Sequence, residues 1–483
     1  MKRLIVISIL TSGLLTSCGD DFLDLTPHSQ ANVEDFYRTE NDIEVAVNGV
    51  YRTLQLPGQY GQAIWTIGEI ASDNSIAGRP VDPYQDIGMH RIPSTNGVVE
   101  NSWYHNFQGI QAINTLLNRM PDVEFTNMGL RDRLEGEAKF LRALMYFNLV
   151  RIYGDVPLVL TETQSPEEGY EQGRDPVSQV YEQIIRDLTE AGAEGFLPLQ
   201  YDSSERGRAT RGSALALLGK VYLTLGNHSE AADFLRQVID LNIYQLLPDY
   251  ADIFEIDNAN HAESIFEVQF KGGTGQGMGS NFFHTFSPFT AGSLIVGVGS
   301  GAGFGQPSAD MIASYEEGDL RKDISLQEGF VNEAGEFIPE PWISKYIDPS
   351  PFAANDNDNN FPVIRYADVL LMHAEALNEL AYEPGGEAFT HLNAVRQRAG
   401  LDPFDGQDLP SQDAFRLAIE NERRHELAFE GHRWFDLVRT DRLLPVMNSV
   451  GFELQEYQKI FPVPQTQIDV NPGVITQNPG HTL

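Results

Sequence analysis

Apolar side chains recur at every third or fourth position through most of this chain, the spacing that places them on one face of an α-helix. The pattern predicts helices over 44–54, 103–120, 134–153, 177–191, 366–380, 388–398 and 415–438. The third of these helices is followed by Gly154-Asp155-Val156-Pro157, and glycine with proline just beyond it is typical of a helix end. The chain is therefore predicted to be mainly α-helical.

The segment 213–241 indicates how such helices pack. Its residues follow the spacing of the 34-residue tetratricopeptide repeat, a helical hairpin in which small side chains let two antiparallel helices approach closely. The matching positions are Leu218, Gly219, Tyr222, Ala231 and Leu235. The alternative interpretation is a helical hairpin unrelated to that repeat.

Two regions lack this helical periodicity. Glycine and aromatic residues become frequent between about 245 and 362, and 73–101 is a second irregular segment. Within the longer region, Ile265–Phe270 alternates between apolar and polar residues and predicts a short strand. The expected fold is mainly α, a tetratricopeptide-like helical repeat scaffold with loop-rich, partly β insertions. Binding residues are often found in loops that a rigid scaffold positions.

Charge and cysteine content narrow the function. The 483 residues carry a formal net charge of −36, which repels phosphate backbones, so we expect no nucleic-acid partner. The single cysteine, Cys18, excludes an intrachain disulfide and a cysteine-rich metal site. His425 and His432 lie seven apart in one predicted helix, but a His-Glu-x-x-His motif is absent, so no metal site or cofactor is predicted.

The N-terminal residues have the form of a lipoprotein signal. Lys2 and Arg3 precede the mostly apolar run 4–15, which is shorter than the about 20 residues that span a bilayer and is typical of a secretory signal. Leu15-Thr16-Ser17-Cys18 then resembles a lipobox, whose cysteine is lipidated; several acyl chains anchor a protein stably. We predict a signal peptide over 1–17, lipidated Cys18 with a tether over 18–30, and one domain over 31–483.

Five blocks along the chain resemble the SusD/RagB family of outer-membrane glycan-binding lipoproteins, in the family's order. The blocks are Asp21-Phe22-Leu23-Asp24 with Pro27, 135–147 with 154–157, 365–376, 422–437, and 461–464 with 477–480. The acidic residues directly after Cys18 also resemble a signal for display on the cell exterior.

The resemblance implies a function. Members sit on the outer face of the outer membrane, capture oligosaccharides or polysaccharides without cleaving them, and pass them to a SusC-like TonB-dependent transporter. Some relatives capture peptides or glycoproteins instead, and a helical-repeat scaffold that binds only proteins is a further alternative.

The charged C-terminal block also suggests a hydrolase, because two carboxylates around a glycosidic bond can supply acid and base. However, Glu422 and Glu426 are four residues apart on one helical face and alternate with arginines, a pattern that favours structural ion pairs. No motif for a hydrolase accompanies them, so the chain is predicted not to be an enzyme.

Candidate ligand-binding residues come from the two irregular regions. In the first, the region that contributes to the ligand site in relatives, they are Asp73, Asn74, Arg79 and Tyr84. In the second they are Phe283, from a phenylalanine cluster over 282–289, and Trp342, because aromatic faces stack on sugar rings. For the phenylalanine cluster and Trp342 the alternative is packing in a local core.

Overall fold

The structure is a computed structural model that describes residues 36–482. The predicted signal peptide, the predicted lipidation site Cys18 and the whole predicted tether over 18–30 lie outside the described residues. Among residues 36–482, no helix is both long enough and apolar enough to cross a membrane.

Helices make up most of the regular structure between residues 36 and 482. They are α1 (Glu40–Thr53), α2 (Ala63–Trp65), α3 (Tyr84–Gly88), α4 (Gly97–Arg119), α5 (Met128–Tyr153), α6 (Pro166–Tyr170), α7 (Val177–Ala191), α8 (Arg211–Thr224), α9 (His228–Asp240), α10 (Phe282–Phe286), α11 (Ala309–Ser314), α12 (Lys322–Ser325), α13 (Tyr366–Leu380), α14 (Glu387–Arg398), α15 (Gln412–Glu426), α16 (Arg433–Arg439), α17 (Leu443–Ser449) and α18 (Gln465–Val470). A π-helical turn, Thr66–Ile70, continues α2, and 3₁₀ turns cover Met120–Asp122, Ala251–Ile253, Ile256–Asn258 and Glu456–Lys459.

The strands are short and pair only in twos. They are β1 (Ser75–Ile76), β2 (Ser264–Val268), β3 (Gln306–Pro307), β4 (Leu326–Gln327), β5 (Phe330–Val331), β6 (Phe337–Ile338), β7 (Trp342–Ile343) and β8 (Phe361–Arg365). The pairs β1–β3, β2–β8, β4–β7 and β5–β6 are all antiparallel. Through β1–β3, the first irregular region pairs with the second.

The long helices stack side by side into one array. Helix α1 packs on α4 and α5, and the stack continues through α7, α8, α9 and α13 to α14 and α15. Polar side chains fix several helix starts: Thr39, Asn96, Asn127 and Thr210 each accept a hydrogen bond from a backbone N–H of the first turn. The predicted mainly α scaffold is confirmed.

The hairpin α8–α9 has the packing that the repeat spacing predicts. A Cβ atom on Gly219 would lie 2.6 Å from Cγ of Leu235, so the two helices are too close for any larger residue. The rings of Tyr222 and Phe234 stack across the same interface with centroids 5.5 Å apart. The contact between the two helices therefore combines a glycine that allows close approach with a stacked aromatic pair.

Two expectations about elements are corrected. The predicted helix 415–438 is two helices, because the chain turns between α15 and α16 at Phe429 and Gly431, whose φ angles are 64° and 79°. The segment 73–101 is only partly irregular, since it contains α3 and the first turn of α4. The spacing of apolar residues does not reveal a turn when the residues on both sides of that turn are buried.

The close approach of α8 and α9 generates a stability prediction. We expect Gly219→Val to lower the free energy of unfolding by about 1–3 kcal/mol, because the larger side chain overpacks the contact with Leu235. Gly49→Val is the matched control, since Gly49 is also within a helix but has no atom within 4 Å of a Cβ. Urea unfolding followed by circular dichroism measures both; equal stability of the two variants would contradict the prediction.

Candidate functional site

We call 73–101 the first insertion and 245–362 the second insertion. A buried cluster of ion pairs lies where the second insertion meets the C-terminal helices. Arg365, at the end of β8, donates to Glu263 at 2.6 Å, to Glu426 at 2.9 Å and to Glu430 at 2.8 Å. Arg398 of α14 also donates to Glu426, at 2.5 Å. These neighbouring cations hold the pKa of the Glu426 carboxyl well below its usual range although burial opposes this. All these charged groups therefore form ion pairs that hold the fold together.

The cluster continues through the other carboxylates of the charged blocks. Arg321 donates to Glu422 at 2.6 Å, Lys220 to Asp368 at 2.9 Å, and Arg439 to Glu375. Each carboxylate that suggested hydrolase chemistry is thus buried and bound to a cation. Arg365 binds neither Asp368 nor Glu375, although all three are in the same sequence block.

His425 and His432 do not lie in one helix, which corrects the expectation from the sequence. His425 is in the last turn of α15 and its Nε2 lies 2.9 Å from Oγ of Ser314, whereas His432 directly precedes α16 and its Nδ1 lies 3.1 Å from Nζ of Lys220. Burial lowers the pKa of both histidines to about 3, so both are neutral at pH 7.

Asp73 and Asn74 lie beneath the surface. Arg433 binds Asp73 with two hydrogen bonds, at 2.8 and 2.9 Å, and Arg424 donates to Asn74 at 2.9 Å. Asn74 in turn donates to Glu69 at 2.9 Å; burial raises the pKa of Glu69 to about 7. These contacts join the first insertion to the C-terminal helices, so both residues hold the loop in place and neither presents a polar group to solvent.

Arg79 and Tyr84 are the two candidates with partly exposed side chains that do not lie in a buried core, and they belong to one stack. The guanidinium of Arg79 lies 3.8 Å above the ring of Phe289 and 5.5 Å from that of Phe304. Phe304 packs on Tyr84, with centroids 4.4 Å apart, and Tyr84 stacks on buried Trp65 at 5.7 Å. We call Arg79, Tyr84, Phe289 and Phe304 the surface stack.

The second insertion holds Phe289 at the surface. Phe289 is 48% exposed, and its backbone N–H donates to the carboxylate of Glu340 at 2.8 Å. The backbone carbonyl of Gly303 lies only 2.2 Å from where a Cβ on Gly78 would be, so the two insertions are in direct contact at this point. Phe289 and Phe304 were not among the predicted site residues; the phenylalanine run in a glycine-rich segment was the available signal.

Phe283 and Trp342 occupy a small core under the same insertion. They pack with Val296 and are only 4% and 6% exposed, and the Trp342 indole donates to the Gly329 carbonyl at 3.3 Å. This geometry favours the core alternative for both residues. The exposed phenylalanines of this insertion are instead Phe289, Phe337 and Phe352, and of these Phe289 contacts Arg79.

The fold and the stack together define a class: a helical-repeat protein whose two insertions present one aromatic surface. Comparison with known families shows which family has this helical fold. The model described as SusD family matches residues 335–481, and the model described as starch-binding associating with outer membrane matches residues 21–223. The chain belongs to the SusD family.

Individual relatives extend over nearly the whole chain. The SusD-like protein P2 of Formosa agariphila is 27% identical and is covered, like this chain, over 100% of its length. A laminarin-binding SusD-like protein is 30% identical with a TM-score of 0.80, over 92% of this chain and 100% of that one. A SusD homologue from Bacteroides thetaiotaomicron is 26% identical with a TM-score of 0.81, over 94% and 99%.

The buried anchor of the first insertion yields a second stability prediction. We expect Asp73→Asn to lower the free energy of unfolding by about 3–5 kcal/mol, because Asp73 pairs with the buried guanidiniums of Arg433, at 2.8 Å, and Arg424, at 3.0 Å. Without it, Arg433 keeps only a loose pair with Glu420, at 3.8 Å. Asp310→Asn is the control: Asp310 also pairs with Arg424, but its side chain is 50% exposed, so we expect a loss below about 1 kcal/mol. Chemical unfolding measures both, and comparable losses would show that Asp73 is not an anchor.

Proposed function

We propose that this protein captures an oligosaccharide or polysaccharide at the surface stack and does not cleave it. The observation that supports this most strongly is the stack itself, in which Arg79, Tyr84, Phe289 and Phe304 from two separate insertions form one contiguous surface. Trp65 supports it from below, through its contact with Tyr84. Such a supported aromatic surface is a ready platform for a flat ligand.

The chemistry of the stack suits a sugar. Aromatic rings bind the apolar C–H face of a pyranose, and polar groups beside them bind its hydroxyls. One N–H of Arg79 donates to the carbonyl of Ala302, at 3.3 Å. A guanidinium carries five N–H donors, so others remain for a ligand. Contact with Phe289 restrains the guanidinium before a ligand arrives, which reduces the ordering cost of binding.

A β-glucan of the laminarin type is the first ligand that we propose. The 30% identical relative is named as a laminarin-binding protein, and the family description of residues 21–223 names starch, so α-glucans come second. Gels that contain laminarin and gels that contain starch distinguish the two ligands. Binding of a peptide or glycoprotein fraction in place of any glycan would transfer the site to the peptide-capturing branch of the family.

The cellular setting belongs to the same proposal. Lipidated Cys18 anchors the chain in the outer membrane, facing the exterior, and a SusC-like TonB-dependent transporter receives the glycan. The family description of residues 21–223, associating with outer membrane, supports this location. The absence of cleavage is supported by the charged blocks, in which Glu422, Asp368 and Glu426 are each bound by a buried arginine or lysine.

Affinity electrophoresis tests this proposal. We expect gels containing laminarin, or otherwise gels containing starch, to retard the mature protein carrying Cys18→Ser. The substitutions Phe289→Ala and Arg79→Ala should each reduce this retardation about tenfold or more, because each removes part of the stack. Phe337→Ala is the matched control, since Phe337 is 60% exposed on β6 but is not in the stack.

Three outcomes count against the proposal. Equal retardation of the wild type and both stack variants would place the glycan elsewhere on the surface. Retardation by no glycan in a panel of plant, microbial and host polysaccharides would contradict glycan capture. Release of reducing sugar from the retarding glycan would contradict binding without cleavage.

A further inference from the structure

Two helices of the scaffold bring three metal-ligating side chains together, far from any contact with the surface stack. His373 lies on α13, and Glu387 and His391 lie one turn apart on α14. One nitrogen of each imidazole and one carboxylate oxygen lie within 4.8 Å of one another. Among residues 36–482 no other group of three or more histidine, cysteine or acidic side chains has this arrangement.

The two imidazoles are poorly satisfied by the protein. His373 is 1% exposed and its Nδ1 is buried without a hydrogen-bond partner, while His391 is 9% exposed and its Nε2 has only the Glu387 carboxylate, at 3.4 Å and without good hydrogen-bond geometry. A buried polar atom without a partner costs about 1–3 kcal/mol, so this arrangement requires an explanation. A bound ion at this place would give such nitrogens a partner.

The spacing is near that of a metal site. Nε2 of His391 lies 3.4 Å from Oε1 of Glu387. Two ligand atoms of a tetrahedral zinc ion lie about 3.3 Å apart, given bond lengths of about 2.0–2.1 Å. The ring of His373 packs edge-on against that of His391, with centroids 5.1 Å apart, and one of its nitrogens lies within 4.8 Å of the other two ligand atoms.

We propose that His373, His391 and Glu387 bind a divalent transition-metal ion of the zinc class, which clamps α13 to α14. Two imidazoles and one carboxylate are ligands that Zn²⁺ prefers, whereas Mg²⁺ and Ca²⁺ prefer oxygen ligands alone. The Glu387 side chain is 43% exposed, so the ion reaches the site from solvent and a water molecule completes its coordination. The inference does not depend on glycan binding.

A third helix fixes the carboxylate. Arg236 of α9 donates to Oε2 of Glu387 and leaves Oε1 directed at His391. A hydrogen-bonded partner of this kind orients a metal ligand.

Zinc binding by the untagged mature protein carrying Cys18→Ser tests the proposal, because that variant has no thiol. We expect one Zn²⁺ per chain in competition with a chromogenic chelator, visible absorption bands of tetrahedral coordination with Co²⁺, and a rise in Tm with Zn²⁺ but not with Mg²⁺. We expect His391→Gln and Glu387→Gln to weaken Zn²⁺ binding at least about tenfold and to abolish the rise in Tm.

Glu383→Gln is the matched control, because Glu383 is an exposed carboxylate four residues before Glu387 and outside the cluster. Glu387→Gln changes an exposed side chain, so it tests the site even if a substitution of buried His373 or His391 prevents folding. Absence of saturable Zn²⁺ binding by the folded wild type, or binding by Glu387→Gln and His391→Gln that equals the Glu383→Gln control, would overturn the proposal.

Discussion

The buried ion pairs around Arg365 are the constraint on which the arrangement of the rest of the chain depends. Removing a guanidinium and several carboxylates from water is costly, and only close, multiply hydrogen-bonded partners compensate. Arg365 meets Glu263 of the second insertion, and Glu426 and Glu430 of the C-terminal segment, within 2.6–2.9 Å. A displacement of any of these segments leaves a charge unpaired, so the insertion can occupy only one position on the helical scaffold.

The first insertion is held by the same chemistry at a separate point. Asp73 binds Arg433 and Asn74 binds Arg424, both on the C-terminal helices. With both insertions anchored from below, their outer parts meet where Gly78 contacts Gly303, and there Arg79 and Phe289 come into contact. The surface stack is therefore a product of two buried anchors, and a rigid surface of this kind lowers the ordering cost of binding a ligand.

Local sequence patterns were sufficient for the scaffold and insufficient for the site. Helix periodicity located the long helices, and the Gly219–Leu235 spacing predicted a close hairpin that the structure contains. Helix periodicity missed the turn at Phe429 and Gly431, because buried residues continue on both sides of that turn. The sequence also did not indicate that Asp73 pairs with Arg433, because the two residues are 360 positions apart and no local pattern reveals such a pair.

The crystal structure of the protein with the oligosaccharide that retards it most in gels tests the central claim most directly. The account predicts a pyranose ring lying against Phe289, with a hydroxyl accepting a hydrogen bond from Arg79. An oligosaccharide bound elsewhere, for example in the cavity of about 370 Å³ between Tyr201 and Tyr244, would contradict it.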